Sequence, residues 1–145
     1  MRHDLVIRSA ELQDSQALAD LCTQLGYPST EQEVRDRLEQ MADFPHHALF
    51  AAEVSGRVIG YVHVHAYPLP ETDFHAEIGG LVVDEKHRGQ GIGRRLLLEA
   101  ETWARAQGCQ VLLVRSNVIR ENAHHFYKEL GYQTIKSQLI FRKVL

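Results

Sequence analysis

The sequence predicts an α/β (α+β) fold, a mixed sheet with helices packed against it. Three observations carry this expectation. Apolar runs typical of strands alternate with segments patterned every three to four residues, in the order β, α, α, β, β, β, α, β, α, β. Two of the runs, HALFAAEV and RVIGYVHVHAY, are separated only by Ser55 and Gly56, the spacing of an antiparallel hairpin. The stretch LVVDEKHRGQGIGRRLLLEAETWA, residues 81–104, then hands a strand to a helix through three glycines and no proline. With 145 residues the chain can build one compact core, so a single domain over residues 1–145 is expected.

The elements follow in order. DLVIR, residues 4–8, reads as the first strand. Leu18, Leu21, Cys22 and Leu25 give the next segment a helical apolar face, which Gly26 and Pro28 stop. Thr30 opens a capping box with Glu33, so a second helix is predicted over residues 31–41. The hairpin comes next, its second strand ending at Pro68 and Pro70. FHAEIGGLVVD, residues 74–84, is a further strand, where Gly79 and Gly80 suggest a bulge or a close backbone approach. Ile92, Leu96, Leu97, Ala100 and Ala104 line one face of the helix after the glycine turn, which ends at Gly108. QVLLVRS reads as a buried strand. A helix from about Arg120 then carries Ala123, Phe126, Tyr127 and Leu130 on one face, and YQTIKSQLIFRKVL supplies a final strand or two.

Composition narrows the function classes. Apolar residues make up 44% and charged residues 24%, and the net charge of −3 supplies no general field for nucleic acid or anionic lipid. Any anion site must be local. MRHDLVIRSA lacks the apolar core of a signal peptide, and no stretch approaches the roughly 20 apolar residues of a membrane span, so a cytoplasmic location is expected. Cys22 and Cys109 form neither a disulfide framework nor a C-x-x-C pair and are read as reduced thiols.

Successive backbone N–H groups in a turn leading into a helix form an anion site, which the partial positive charge of the helix N-terminus strengthens. Glycines at 91 and 93 let such a ligand approach the main chain, and Arg88, Arg94 and Arg95 add charge nearby. A phosphate or pyrophosphate is the ligand this chemistry suits. A dinucleotide fingerprint starting at Gly89 or Gly91 would need glycine where Arg94 or Leu96 stands, and the Gly-Lys-Ser/Thr of a P-loop is missing.

The pattern that fits is R-x-x-G-x-G, at Arg88, Gly91 and Gly93, after LVV and before an amphipathic helix. With NAHHFYKELGY, which matches A-x-x-F-Y-x-x-x-G-F/Y, and with the element order, the chain resembles the GNAT superfamily of acetyl-CoA-dependent N-acetyltransferases. The resemblance implies a mostly antiparallel sheet in which two central parallel strands splay apart, and acetyl-CoA as acetyl donor. It implies that the pantetheine arm runs along the backbone of Leu81, Val82 and Val83. The pyrophosphate would lie on the amides of Arg88, Gly89, Gln90, Gly91, Ile92, Gly93 and Arg94. Relatives often carry an asparagine where this chain has Arg120, which makes Asn117 and Asn122 the candidates to replace it.

An amine that attacks a thioester must first lose its proton, since a lysine-like ammonium has a pKa near 10.4. Glu77, four residues before Leu81, is the candidate base, and some related aminoglycoside acetyltransferases carry a similar glutamate; a water relay or a merely solvated strand residue are the alternatives. Tyr127 fits the acid that protonates the departing thiolate by resemblance, and its ring also suits helix packing. The nine histidines suggest no metal site; His65 and His75 are read as lining the acceptor pocket.

The expected activity is therefore acetyl transfer to a primary amine by direct attack in a ternary complex. The expected acceptor is a small cationic molecule such as an aminoglycoside or polyamine, on the strength of Glu71, Asp73 and Glu77. A protein N-terminus or lysine is the nearest alternative, and a non-catalytic acyl-CoA sensor is the alternative of another class. A homodimer is compatible with the sequence.

Overall fold

The computed structural model describes residues 4–116 and 120–145, which form two compact units, Met1–Val114 and Arg115–Leu145. In the first unit, β1 (Leu5–Ser9) leads through a short 3-10 turn to α1 (Ser15–Leu25) and α2 (Glu31–Met41). The strands β2 (His47–Val54), β3 (Arg57–Leu69) and β4 (Thr72–Val83) follow, then α3 (Ile92–Ala106) and β5 (Leu112–Val114). The sheet order is β1-β2-β3-β4-β5, antiparallel throughout except for the parallel β4–β5 pair.

Local chemistry explains these boundaries. Thr30 Oγ1 accepts from the Glu33 amide at 3.1 Å and Glu33 Oε1 accepts from the Thr30 amide at 2.9 Å, so the predicted capping box starts α2. Ser55 and Gly56 both have positive φ, which closes the β2–β3 hairpin tightly. β3 passes the expected stop at Pro68 and reaches Leu69, because the register shifts between Tyr67 and Leu69 and no ladder bond is asked of the proline.

The two faces of the sheet are covered by different helices. α3 packs on β2, β3 and β4 and buries Ile92, Leu96, Leu97, Ala100 and Ala104, as its spacing predicts. Gly60 admits this helix closely: a Cβ there would lie 3.2 Å from Leu96 Cδ1. On the opposite face Leu18, Ala19 and Leu21 of α1 and Val34 of α2 form a cluster with Tyr61 and Val82. Burying each large apolar side chain contributes about 1.5–3 kcal/mol. Arg8 ties β1 to the start of α1 through two contacts to Asp14, at 2.8 and 2.9 Å, and reaches Glu53 on β2 at 3.0 Å. The guanidinium holds the Asp14 carboxyl below the usual carboxylate range, and the Arg8 pKa is raised in return.

The second unit contains α4 (Glu121–Glu129), closed at Gly131. The final strand expected from YQTIKSQLIFRKVL does not form among the described residues, and QVLLVRS contributes only the three residues of β5. A strand pattern becomes a strand only where another backbone edge completes its hydrogen bonds. Residues 133–145 join no ladder, and Ile135, Leu139, Ile140, Phe141 and Val144 are exposed.

Candidate active site

The glycine turn is anchored before it reaches α3. The Asp84 amide donates to Ile59 O at 2.7 Å. The Asp84 carboxylate accepts from Gln24 Nε2 and contacts His87 Nδ1, both at 2.8 Å, and these partners hold its pKa below the usual carboxylate range, Gln24 foremost. Arg88 turns its side chain back, donating from Nε to Val83 O at 3.1 Å, so it braces the end of β4. Gly89 and Gly91 have φ of 77° and 80°, a conformation that other residues rarely adopt. A Cβ at either would meet nothing within 4 Å, so backbone conformation, not crowding within the chain, requires glycine there.

Gly91 is the N-cap of α3 and supplies no side chain to cap it. The first helical bond of this end runs from the Arg95 amide to Gly91 O at 3.1 Å, which leaves the amides of Ile92, Gly93 and Arg94 ahead of the ladder. No acidic residue occupies the first turn, whereas Arg94 and Arg95 do. Three leading amides at a positive helix end that carries no side-chain cap fit a pyrophosphate. The Ile92 side chain is buried in the core, so this residue has only its backbone to offer.

Beside the turn, the two ladders of β4 differ in length. β5 pairs with Ala76, Glu77 and Ile78 and no further, while Leu81, Val82 and Val83 pair with β3 alone among the described residues. The β4–β5 ladder therefore ends at Ile78 and Val114, just before the bulge residue Gly79.

The third part of the site is the sheet face under α1 and α2. Tyr61, His63, His65 and Tyr67 alternate onto this face of β3. The register places Glu77 opposite His65 and His75 opposite Tyr67, with Gly79 as the bulged residue. The Tyr67 hydroxyl donates to Glu77 Oε1 at 3.1 Å, and His65 Nε2 lies 3.6 Å from Oε2. The Glu77 side chain is 12% exposed and His65 is 33% exposed. His63 stacks on His65 and meets the His47 ring edge-on. Burial first, then its histidine neighbours, pushes the His63 pKa down to about 4, so its ring is neutral at pH 7. A cleft of about 200 Å³ opens here, lined by Leu18, Cys22, Val34, Leu38, Leu49 and Tyr61, together with Met41, Arg37, His63, Gly79 and Gly80.

His65 and Glu77 thus come together as candidate acceptor-side residues, and His75 packs next to them against Tyr67. Glu71 and Asp73 lie exposed at the β3–β4 turn and do not line the cleft. Tyr67 and the cleft residues of α2 are not singled out by the sequence analysis; the period-two alternation of residues 61, 63, 65 and 67 is the signal by which Tyr67 could have been found. Among the described residues, no group of three or more His, Cys, Asp or Glu side chains could hold a metal ion.

In the C-terminal unit, Tyr127 is half-buried, with the rings of Phe126 and Tyr132 at 5.3 and 5.9 Å. Burial raises its pKa, which keeps the phenol protonated, against an opposing effect of Arg120. Asn122 is exposed in the first turn of α4. Asn117 lies outside the described residues.

Residues 15–132 match the model of the Acetyltransferase (GNAT) family. The chain belongs to that family. As a GNAT acetyltransferase it is an enzyme that uses acetyl-CoA. It is 37% identical over 92 residues to an aminoalkylphosphonate N-acetyltransferase of Salmonella typhimurium, covering 63% of this chain and 58% of that relative. It is 27% identical over 143 residues to an aminoglycoside N(6')-acetyltransferase type 1 of Stenotrophomonas maltophilia, covering 96% and 93%. Among solved structures, the aminoglycoside N-acetyltransferase AAC(6')-Iy in complex with CoA superposes with a TM-score of 0.84 at 18% identity, over 96% of this chain and 94% of that one. That likeness shows the GNAT fold. No helix among the described residues is long and apolar enough to cross a membrane.

Proposed function

We propose that this GNAT enzyme acetylates the primary amine of a small molecule by direct attack within a ternary complex, and that Glu77 takes the proton of the attacking ammonium. The observation that carries the reading is the Glu77 carboxylate, set on the acceptor face next to the bulge with Tyr67 and His65 beside it. The names of two relatives, which act on small amines, support the substrate size.

Acetyl-CoA supplies the activated acetyl group as a thioester. The amides of Ile92, Gly93 and Arg94 hold the pyrophosphate, and the open backbone of residues 81–83 holds the arm. Tyr67, by donating to Oε1, fixes the orientation of the carboxylate. With the body of the acceptor in the neighbouring cleft, the ammonium passes its proton to Glu77; His65, at the more exposed end, relays it towards solvent. An N–H on the open edge of β4 donates to the acetyl oxygen as that oxygen gains charge. Tyr127 donates its phenolic proton to the departing sulfur, a role proposed on its place in the FYKELGY segment.

The test is Glu77→Gln, read by thiol release from acetyl-CoA with a panel of small amines and peptides. We expect kcat/KM for the best amine to fall about 100-fold or more, with the low-pH limb of the profile altered and CoA affinity kept. Unchanged activity and an unchanged limb would remove Glu77 from the reaction, and a preference for peptides would overturn the small-molecule reading.

A further inference from the structure

The cleft over the bulge carries information about the acceptor beyond its amine. Its walls are apolar on three sides: Leu18 and Cys22 from α1, Val34, Leu38 and Met41 from α2, and Leu49 from β2. Tyr61 adds a ring whose hydroxyl is 3.4 Å from Cys22 Sγ, and His63 adds an imidazole that burial keeps neutral. Arg37 is the one lining residue with a full charge, and no carboxylate lines the cleft among the described residues.

A second ammonium far from the reacting amine would therefore meet apolar carbon and a guanidinium. Burying a charge without a partner is costly, and like charges repel. An aliphatic segment would gain from the walls, and an anionic group at its far end would meet Arg37. The guanidinium now faces Glu33 at 3.6 Å and Ser29 Oγ at 3.3 Å. Exposed pairs of this kind are weak, so an incoming acid can compete for the fork. Arg37 is suited to that role because a planar guanidinium binds a carboxylate or phosphonate through two parallel bonds.

We infer that the acceptor is an ω-amino acid in the broad sense: a primary amine on a short apolar body that ends in a carboxylate or phosphonate, with Arg37 as its specificity-determining residue. The inference rests on the acetyl-transfer reading above. It competes with the polycationic acceptor that the sequence suggests: Glu71 and Asp73 lie exposed at the far end of the β3–β4 hairpin, and Glu77, beside the cleft, is given to the reacting amine.

The test compares amines of equal chain length ending in methyl, ammonium, carboxylate or phosphonate, each assayed for thiol release from acetyl-CoA. With the unmodified enzyme, at least one of the two acids should exceed both the methyl and the ammonium compound by about tenfold in kcat/KM, mainly through KM. Comparing carboxylate with phosphonate tells which acid the fork prefers. Arg37→Gln should abolish the advantage over the methyl compound while leaving kcat on that compound intact. Arg37→Glu should reverse the order in favour of the diamine. A structural defect would depress all four compounds together and would not reorder them. A diamine or aminoglycoside preferred by the unmodified enzyme overturns the inference, as does an acid preference that survives Arg37→Gln or an order that Arg37→Glu leaves unchanged. In those cases amine acetylation itself still stands. Absence of thiol release with every amine would overturn the acetyl-transfer reading and this inference with it.

Discussion

Gly79→Ala probes the packing behind the acceptor face. A Cβ at this position would lie 2.5 Å from His63 Nδ1, with Cε1 and Cγ of the same ring at 3.4 and 3.5 Å. Ordinary contact begins near 3.4 Å, so the ring would have to retreat by about 0.9 Å. Retreat is blocked along two directions by His65, stacked at 5.6 Å, and by His47, edge-on at 5.5 Å. The remaining direction is the cleft. Overpacking of this kind costs about 1–3 kcal/mol, which for a chain of this size lowers Tm by about 2–12 °C. The ring displaced into the cleft should also raise the acceptor KM several-fold without changing acetyl-CoA affinity. Because His63 is neutral at pH 7, the effect is steric and should persist across neutral pH. Thermal unfolding of Gly79→Ala, His63→Ala and the double variant forms the assay, with steady-state kinetics on each. The double variant should be more stable than the sum of the single changes predicts, by about 1 kcal/mol or more. A Tm within about 1 °C of the unmodified protein, or strict additivity in the cycle, would refute the proposed clash.

Other perturbations address the donor side and the scaffold. Gly91→Val places a β-branched residue at a φ of 80°, so CoA affinity measured by calorimetry should fall by tenfold or more while circular dichroism shows the helices retained. Tyr127→Phe keeps the ring and removes the proton donor; kcat should fall by about tenfold, with CoA affinity within twofold. Asp14→Asn should cost about 1.5–3 kcal/mol at neutral pH. Because Arg8 holds the Asp14 carboxyl below its ordinary value near 3.9, the pair stabilises fully above that pH. Its contribution is lost as pH falls through the lowered folded-state value, so the Tm gap between variant and parent should be constant near neutrality and close in acid.

Features encoded by contiguous residues were readable in the sequence. Thr30 and Glu33 lie three apart and cap each other, and Gly26, Gly108 and Gly131 end their helices because each need is met within one turn of chain. The glycine turn was legible for the same reason, since its amides and its positive φ angles belong to six consecutive residues. Relations across strands were less accessible. That Glu77 faces His65, with the Tyr67 hydroxyl on its carboxylate, depends on the register of a hairpin whose turn includes Pro70 and whose far strand is bulged. Arg88 looked like a phosphate ligand by charge, yet its Nε is committed to Val83 O, a contact set by how β4 ends. The tail showed how far composition can mislead: residues 133–145 have the composition of a strand and are in no ladder among the described residues.

The bulge at Gly79 acts as a phase shift in β4. Before it the odd residues His75 and Glu77 face α1 and α2, opposite Tyr67 and His65; after it the even residues Gly80 and Val82 do so, opposite His63 and Tyr61. One strand thus presents a carboxylate to the face under α1 and α2 and, five residues later, a valine to the apolar cluster on that same face, which an uninterrupted period of two forbids. Were Gly79 instead to enter the ladder opposite Val64, with residues 80–83 held in register, Glu77 would move opposite Ala66 and turn to the other face, under α3, where Leu96 and Leu97 offer a carboxylate no partner. A single added residue therefore decides whether this strand end belongs to a reaction or to the core.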